Sequence, residues 1–227
     1  MDYFNENGTV LLIDKPLTWT SFDAVKKIRS AGKFKKVGHA GTLDPLATGL
    51  LILCTGKKTK EIEKYQAQEK EYTGTFTLGA TTPSYDLETE FDQEFPTDHI
   101  TKEALSAAVD KMTGLIEQTP PIFSAVKVNG RRAYDAARKG EEIKLKIREV
   151  EIQAFEIDDS NFPVIAFRIV CSKGTYIRSM ANDFGKLLGS GAHLSSLRRT
   201  KIGDFSVDDA ENVIEVAEKM KTIRESL

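Results

Sequence analysis

The longest uninterrupted apolar run in this chain extends only from Leu50 to Cys54. A membrane-crossing helix needs about 20 such residues, so no spanning segment is expected, and the run reads as a buried strand. Met1–Glu6 lacks the basic start and apolar stretch of a signal peptide. Cys54 and Cys171 stand alone with no CxxC, which excludes a disulfide framework or zinc ribbon as a reading. A cytoplasmic protein with no membrane partner is the expectation. With 227 residues, the chain can bury a sizeable core without metals or disulfides. No repeat, low-complexity tract or linker marks a boundary, so a single domain over 1–227 is expected.

Local patterns predict a mixture of elements. Thr9–Ile13 reads as a strand entering a turn at Asp14-Lys15-Pro16. Ser21 is placed to cap a helix with Phe22, Val25 and Ile28 on one face. Lys33–Thr48 is loop-like, punctuated by Gly38, Gly41 and Pro45, and Glu71–Leu78 alternates as a strand does. The acidic, turn-rich segment Thr81–His99 predicts an exposed connection. Thr101 caps a helix carrying Leu105, Ala108, Val109 and Met112, stopped by Gly114. Ser124–Val128 predicts a strand entering the turn Asn129-Gly130, and Arg131–Lys139 a short basic helix. Strands are expected at Ile143–Ile157 and Val164–Cys171. A helix from Thr175 through Leu188 would set Tyr176, Met180, Phe184 and Leu187 along one side, and Asp208 would cap a final helix. Strands and helices mix without βαβ regularity, which predicts an α+β fold with a largely antiparallel sheet.

A net charge of −2 hides an uneven distribution. Residues 1–70 carry 12 basic and 8 acidic groups, and residues 131–203 carry 14 and 9. Two basic segments, including Lys33-Phe34-Lys35-Lys36 and Arg198-Arg199, could attract phosphates on one face. Charges scattered over the surface account for the same numbers. Charge permits an RNA partner without naming one.

The densest cluster of turn-formers and polar groups is Gly38-His39-Ala40-Gly41-Thr42-Leu43-Asp44-Pro45-Leu46-Ala47-Thr48-Gly49. Nearby Thr55-Gly56-Lys57 suggests a phosphate-binding P-loop, but that pattern fails at Leu51 and at Lys58. No GxGxxG, GxSxG or HExxH occurs, and His39, His99 and His193 are too dispersed for a sequence-local metal site. What remains is a glycine-lined loop presenting Asp44 beside His39. Pro45 restricts Asp44 to extended backbone, which directs its side chain. An aspartate is almost fully ionised at pH 7, with a reference pKa of about 3.9, so as a nucleophile it needs no general base. An Asx-turn aspartate fits the same residues.

The motif Gly38-His39-x-Gly41-Thr42-Leu43-Asp44-Pro45-x-Ala47-x-Gly49-Leu50-Leu51 resembles the catalytic motif of the TruB-type tRNA pseudouridine-55 synthases. Further matches follow in chain order: Asp14-Lys15-Pro16 with Thr20-Ser21, and Lys70-x-Tyr72. Next come Pro120-Pro121-x-x-Ser124-Ala125-x-Lys127 with Gly130-x-Arg132-Ala133-Tyr134. Cys171-Ser172-Lys173-Gly174-Thr175-Tyr176-Ile177-Arg178 and His193-Leu194-x-x-Leu197-Arg198-Arg199 complete the set.

The resemblance implies the pseudouridine synthase catalytic fold, a mixed, mainly antiparallel sheet flanked by helices. It also implies a thumb segment at about 120–147 that grips RNA. Asp44 would be the catalytic carboxylate, Tyr72 would stack on the extruded uracil, and Arg178 would pair with Asp44. His39, Tyr176 and Leu197 would complete the substrate site. Lys15, Lys127, Arg131, Arg132, Arg138, Lys139, Lys173, Arg198 and Arg199 are the candidate RNA contacts. The implied partner is the T-arm of tRNA, with no cofactor, no metal and no obligate protein partner. Longer members of the family carry a further PUA domain, and none is expected here. The alternatives are a different structured-RNA target, or a non-catalytic RNA-binding or RNA-folding protein.

Overall fold

The computed structural model describes residues 2–124, 127–128, 131–132 and 145–226. In chain order the first elements are β1 (Val10–Lys15), α1 (Ser21–Gly32), β2 (Val37–His39), β3 (Ala47–Thr55), α2 (Ile62–Gln66) and β4 (Lys70–Leu78). Next come β5 (Ala80–Thr81), β6 (Gln93–Glu94), α3 (Lys102–Lys111), β7 (Gly114–Gln118), β8 (Lys127–Val128) and β9 (Arg131–Arg132). The remainder are β10 (Arg148–Asn161), β11 (Val164–Cys171), α4 (Ile177–Leu188), β12 (Ala192–Ile202), β13 (Phe205–Ser206), β14 (Glu211–Asn212) and α5 (Val213–Glu225). The chain divides into two compact units: Met1–Tyr72 with Leu197–Leu227, and Thr73–Ser196. No helix among the described residues is long and apolar enough to cross a membrane.

The first unit is built on β3. β1 pairs antiparallel along one edge, with Ile13 opposite Leu51. The other edge is shared: β12 runs parallel beside Ala47–Gly49, and β2 antiparallel beside Leu53–Thr55. Leu50, Leu51, Ile52 and Leu53 are all fully buried. A strand covered on both faces reads as a continuous apolar run, and each such side chain contributes about 1.5–3 kcal/mol of transfer free energy. Gly49 sits at φ +102, and a Cβ there would meet Arg199 O at 2.3 Å; the parallel strand can approach only because the side chain is absent. Helix α1 buries Ala24, Val25, Ile28 and Ala31 and packs on α5, which buries Val213, Val216, Ala217 and Met220.

Three local expectations change in this unit. Thr20, not Ser21, caps α1, because Asp23 three residues on completes a reciprocal capping box. Phe22 is 58% exposed, with Lys26 Nζ 4.8 Å from its ring centroid, so the buried face is set by Ser21, Ala24, Val25 and Ile28 instead. Asn212, not Asp208, caps the final helix; Asp208 lies in a short 3₁₀ turn capped by Ser206.

In the second unit β4, β11, β10 and β7 lie side by side in that order. β10 and β11 form a long antiparallel hairpin, with Ile157 opposite Phe167, and β7 pairs antiparallel with β10, Gln118 opposite Arg148. Phe76, Phe155, Phe167 and Phe184 form its aromatic core, Phe76 lying 4.3 Å from Phe167 and 5.8 Å from Phe184 between ring centroids. Helix α4 buries Met180 and Phe184 as expected, whereas Leu187 is exposed. β8 and β9 pair antiparallel, so Arg131 and Arg132 lie on a strand rather than at the start of a helix. The remainder of that expected helix, 133–139, lies outside the described residues. The segment Thr81–His99 is not simply an exposed connection either: Thr82, Ser84 and Asp86 are buried. The Thr82 hydroxyl donates to the Asp86 main-chain carbonyl and the Ser84 hydroxyl to the Asp86 carboxylate, which lets polar residues go inside.

Candidate active site

Asp44 stands in the first unit, in the loop between β2 and β3, and hydrogen bonds from Ser21, Arg199, Thr18 and Ala47 hold that loop. Ser21, buried at the start of α1, accepts the Leu43 N–H on Oγ at 2.8 Å and donates to Leu43 O at 3.1 Å. Arg199, 1% exposed, donates from Nε to Leu50 O at 2.8 Å and from its other nitrogens to Gly41 O and Thr42 O at 3.2 and 3.4 Å. One guanidinium thereby ties both arms of the loop together. Thr18 donates its N–H to Pro45 O at 2.8 Å from a left-handed backbone, φ +68, which a β-branched residue rarely adopts. Finally, Ala47 N–H bonds Asp44 O at 3.0 Å. The residues before Asp44 are thus fixed by side chains distant in sequence, and the residue after it by the Thr18 main chain.

Lys15 is fully buried at the end of β1 and donates Nζ to Pro16 O and Trp19 O at 2.9 and 2.6 Å. Burial pushes its pKa down to about 8, while the Asp44 carboxylate holds it up and Arg199 pushes it further down. Lys15 is therefore a buried cation in the electrostatic field of Asp44. His39 ends β2, and its pKa is lowered by burial, against a backbone hydrogen bond with Gly41 that favours the charged form. Burial thus favours the neutral imidazole. Tyr72, 8% exposed, lies on β4, and Leu197 pairs with Ala47 three residues beyond Asp44. The first unit thus contains His39, Asp44, Tyr72 and Leu197.

Tyr176 and Arg178 belong to the second unit, at the start of α4. Arg178 is 4% exposed; its Nε lies 3.7 Å from Asp86 Oδ2, and a terminal nitrogen donates to Ser84 O at 3.3 Å. Asp86 in turn accepts from Ser84 Oγ at 2.6 Å and from Glu88 N–H at 3.0 Å. Asp86 and Ser84 escape a sequence reading because they sit inside an acidic, aperiodic stretch. The clustering of Thr82, Ser84 and Thr89 around Asp86 is the only local hint that this carboxylate is enclosed.

The candidate RNA contacts separate clearly. Lys15 and Arg199 are corrected: both are buried with their charged ends on backbone carbonyls, so neither presents a cation to a phosphate. Arg198 is half-exposed and bonds Asp14 through two nitrogens at 3.0 and 2.7 Å. Lys173 is exposed, in a turn closed by Thr175 Oγ donating to Ser172 O. Only the backbone is described at Lys127, Arg131 and Arg132, and Arg138 and Lys139 lie outside the described residues. Among the described residues no group of three or more His, Cys, Asp or Glu could hold a metal.

This architecture is that of the pseudouridine synthases. A chain of the solved Cbf5–Nop10–Gar1 complex superposes with a TM-score of 0.75 at 27% identity, covering 97% of this chain and 56% of that one. A chain of the H/ACA RNP bound to a substrate RNA containing 2′-deoxyuridine shares the fold, with a TM-score of 0.72 at 24% identity, covering 97% of this chain and 56% of that one. Residues 29–177 match the family model described as TruB family pseudouridylate synthase (N terminal domain). Residues 178–226 match the tRNA pseudouridylate synthase B C-terminal domain. The tRNA pseudouridine synthase B of Flavobacterium johnsoniae is 58% identical over 213 residues, 91% of this chain and 93% of that protein. That of Bacteroides fragilis is 52% identical over 219 residues, 94% of each. The chain belongs to the TruB family of pseudouridylate synthases.

Proposed function

We propose that this chain converts the T-loop uridine at position 55 of tRNA to pseudouridine, acting as a single catalytic domain. The reaction breaks the bond between uracil N1 and the ribose, turns the detached base, and rejoins it through C5. The C5 proton is released and N1 regains one, so no external oxidant or reductant enters. The observation that supports this reading most is the clamped loop: Ser21 and Arg199 grip the residues before Asp44, and Thr18 the residue after it. A loop held this firmly fixes the backbone from which the Asp44 carboxylate projects, so little reorganisation of the loop is needed as the reaction proceeds.

In this reading Asp44 supplies the nucleophilic or charge-stabilising carboxylate. Tyr72, on β4, stacks on the flipped base and lies close enough to it for proton handling. Arg178, held by Asp86, is the proposed partner of Asp44 and acts mainly through orientation, because Asp44 needs no help to ionise. Tyr176 and Leu197 line the base pocket, and His39 contacts the T-loop. RNA loops are read by shape and splayed, stacked bases, while Lys127, Arg131, Arg132, Arg138, Lys139, Lys173 and Arg198 contact phosphates and position the arm. The T-arm stem-loop is the proposed partner, and the cytoplasm the proposed site of action.

The test is to incubate unmodified tRNA and an isolated T-arm stem-loop with the protein and map pseudouridine by chemical sequencing. Conversion of uridine 55 in both RNAs is expected. Asp44→Asn, which keeps the shape but removes the charge, should abolish turnover while RNA still binds. Multiple turnovers by that variant, or modification only at other positions, would refute the proposal.

A further inference from the structure

Helix α4 begins without a cap of its own. Its N-cap residue, Tyr176, makes no side-chain capping bond, and its first turn contains no acidic residue. The N–H groups at a helix start need partners from elsewhere, and the end of β7 supplies a hold on this one. Gln118, 2% exposed, donates from Nε2 to Tyr176 O at 3.1 Å and accepts the Tyr176 N–H on Oε1 at 2.8 Å. The carbonyl of the next residue, Thr119, accepts from Ser179 Oγ at 2.7 Å. These two grips bracket Arg178 in sequence.

We infer that Gln118 is a positioning residue for the reaction. Its carboxamide fixes the start of α4, and with it the place of Tyr176 and the direction in which Arg178 leaves the helix. This rests on the roles proposed above for those two residues. The arrangement holds Arg178 at both ends: Gln118 and Thr119 set its backbone, while Asp86 and Ser84 set its guanidinium. Among side chains of this length, a carboxamide alone offers a donor and an acceptor in one plane, matching the N–H and C=O of one peptide residue. A carboxylate at 118 keeps the acceptor but places a negative oxygen against Tyr176 O. Alanine removes both bonds and leaves the Tyr176 backbone free to shift. A misplacement of about 1 Å in a catalytic group can cost on the order of 100-fold in rate.

Two variants of the full chain, Gln118→Ala and Gln118→Glu, test this by single-turnover pseudouridine formation on tRNA and by RNA Kd at the same salt. We expect both to lower the single-turnover rate at least tenfold while the Kd stays within threefold of wild type. In an Arg178→Lys background, Gln118→Ala should cost less than it does alone, because one of the two residues it positions has already been replaced. A merely structural role would lower rate and affinity together and would be additive with Arg178→Lys. If Gln118→Ala fails to fold by circular dichroism, Gln118→Glu, which keeps the shape and one bond, decides the matter. A smaller rate loss in a folded variant, a parallel loss of affinity, additivity, or failure of both variants to fold would each overturn the inference. A wild-type protein that forms no pseudouridine would instead overturn the reading beneath it.

Discussion

Ser21 Oγ accepts the N–H of Leu43 at 2.8 Å and donates to its carbonyl at 3.1 Å, so the first residue of α1 holds the residue immediately before Asp44. The helix itself is capped by the neighbouring Thr20, which leaves the Ser21 hydroxyl free for the loop.

The two adjacent hydroxyls should therefore separate by experiment. Ser21→Ala leaves a buried N–H and C=O of Leu43 unpaired, a cost of about 1–3 kcal/mol, and should slow pseudouridine formation. Thr20→Ala should cost about 1 kcal/mol through the lost cap and leave turnover near wild type. Urea denaturation and initial rates on one tRNA preparation give both numbers. Equal rate losses in the two variants would contradict the clamp.

Asp86 is enclosed with Arg178, both side chains 5% exposed. Removing one partner of a buried ion pair takes away compensation for the other charge and costs up to about 3–5 kcal/mol. Asp86→Ala should show a loss of that order in denaturant and a large fall in turnover. Combined with Arg178→Met, which removes the guanidinium that Asp86 faces, part of the stability should return. A double variant less stable than Asp86→Ala would argue against the pairing.

Lys15 predicts a pH effect of defined sign. Its folded pKa of about 8 lies below the ordinary 10.5, so between those values the unfolded chain binds the extra proton. Stability contributed at this site is lowest below about pH 8 and rises as pH climbs toward 10.5. Relative to Lys15→Met, which has no charge to desolvate, wild type should gain roughly 2 kcal/mol between pH 7.5 and 9.5. Urea melts of both proteins at the two pH values measure the difference, and a wild type that gains nothing or loses stability relative to the variant as pH rises would be inconsistent with a buried ammonium.

Salt dependence distinguishes surface cations from internal ones. Neutralising one side chain that touches a phosphate should flatten the slope of log affinity against log salt by about one unit. Lys173→Ala should do so with little effect on stability. Arg199→Ala should leave the slope unchanged but destabilise the protein by about 1–3 kcal/mol, by stranding the carbonyl of fully buried Leu50, besides releasing those of Gly41 and Thr42. RNA binding across a salt series, paired with denaturation, resolves the two behaviours.

What the chain determined by itself is local. The run Leu50–Cys54 is a buried strand, Thr101 caps α3, and the glycines and Pro45 make the Asp44 loop, because each depends on side chains a few residues apart. The order of motifs likewise carried the family. Only the tertiary structure decided which polar groups turn inward. Lys15 and Arg199 read as cations ready for phosphate, yet a loop folded 158 residues upstream in sequence presents Gly41 O to Arg199, and burial follows from that long-range bond. Asp86 reads as one acid among many exposed ones until Ser84 and Arg178 enclose it. Gln118 shows no signal at all before Tyr176, 58 residues away, meets its amide. Hydrophobic periodicity reports which side of an element faces the core. It does not reveal which distant carbonyl or carboxylate will satisfy a buried polar group, and here the hold on the Asp44 loop and on Arg178 rests on such partners.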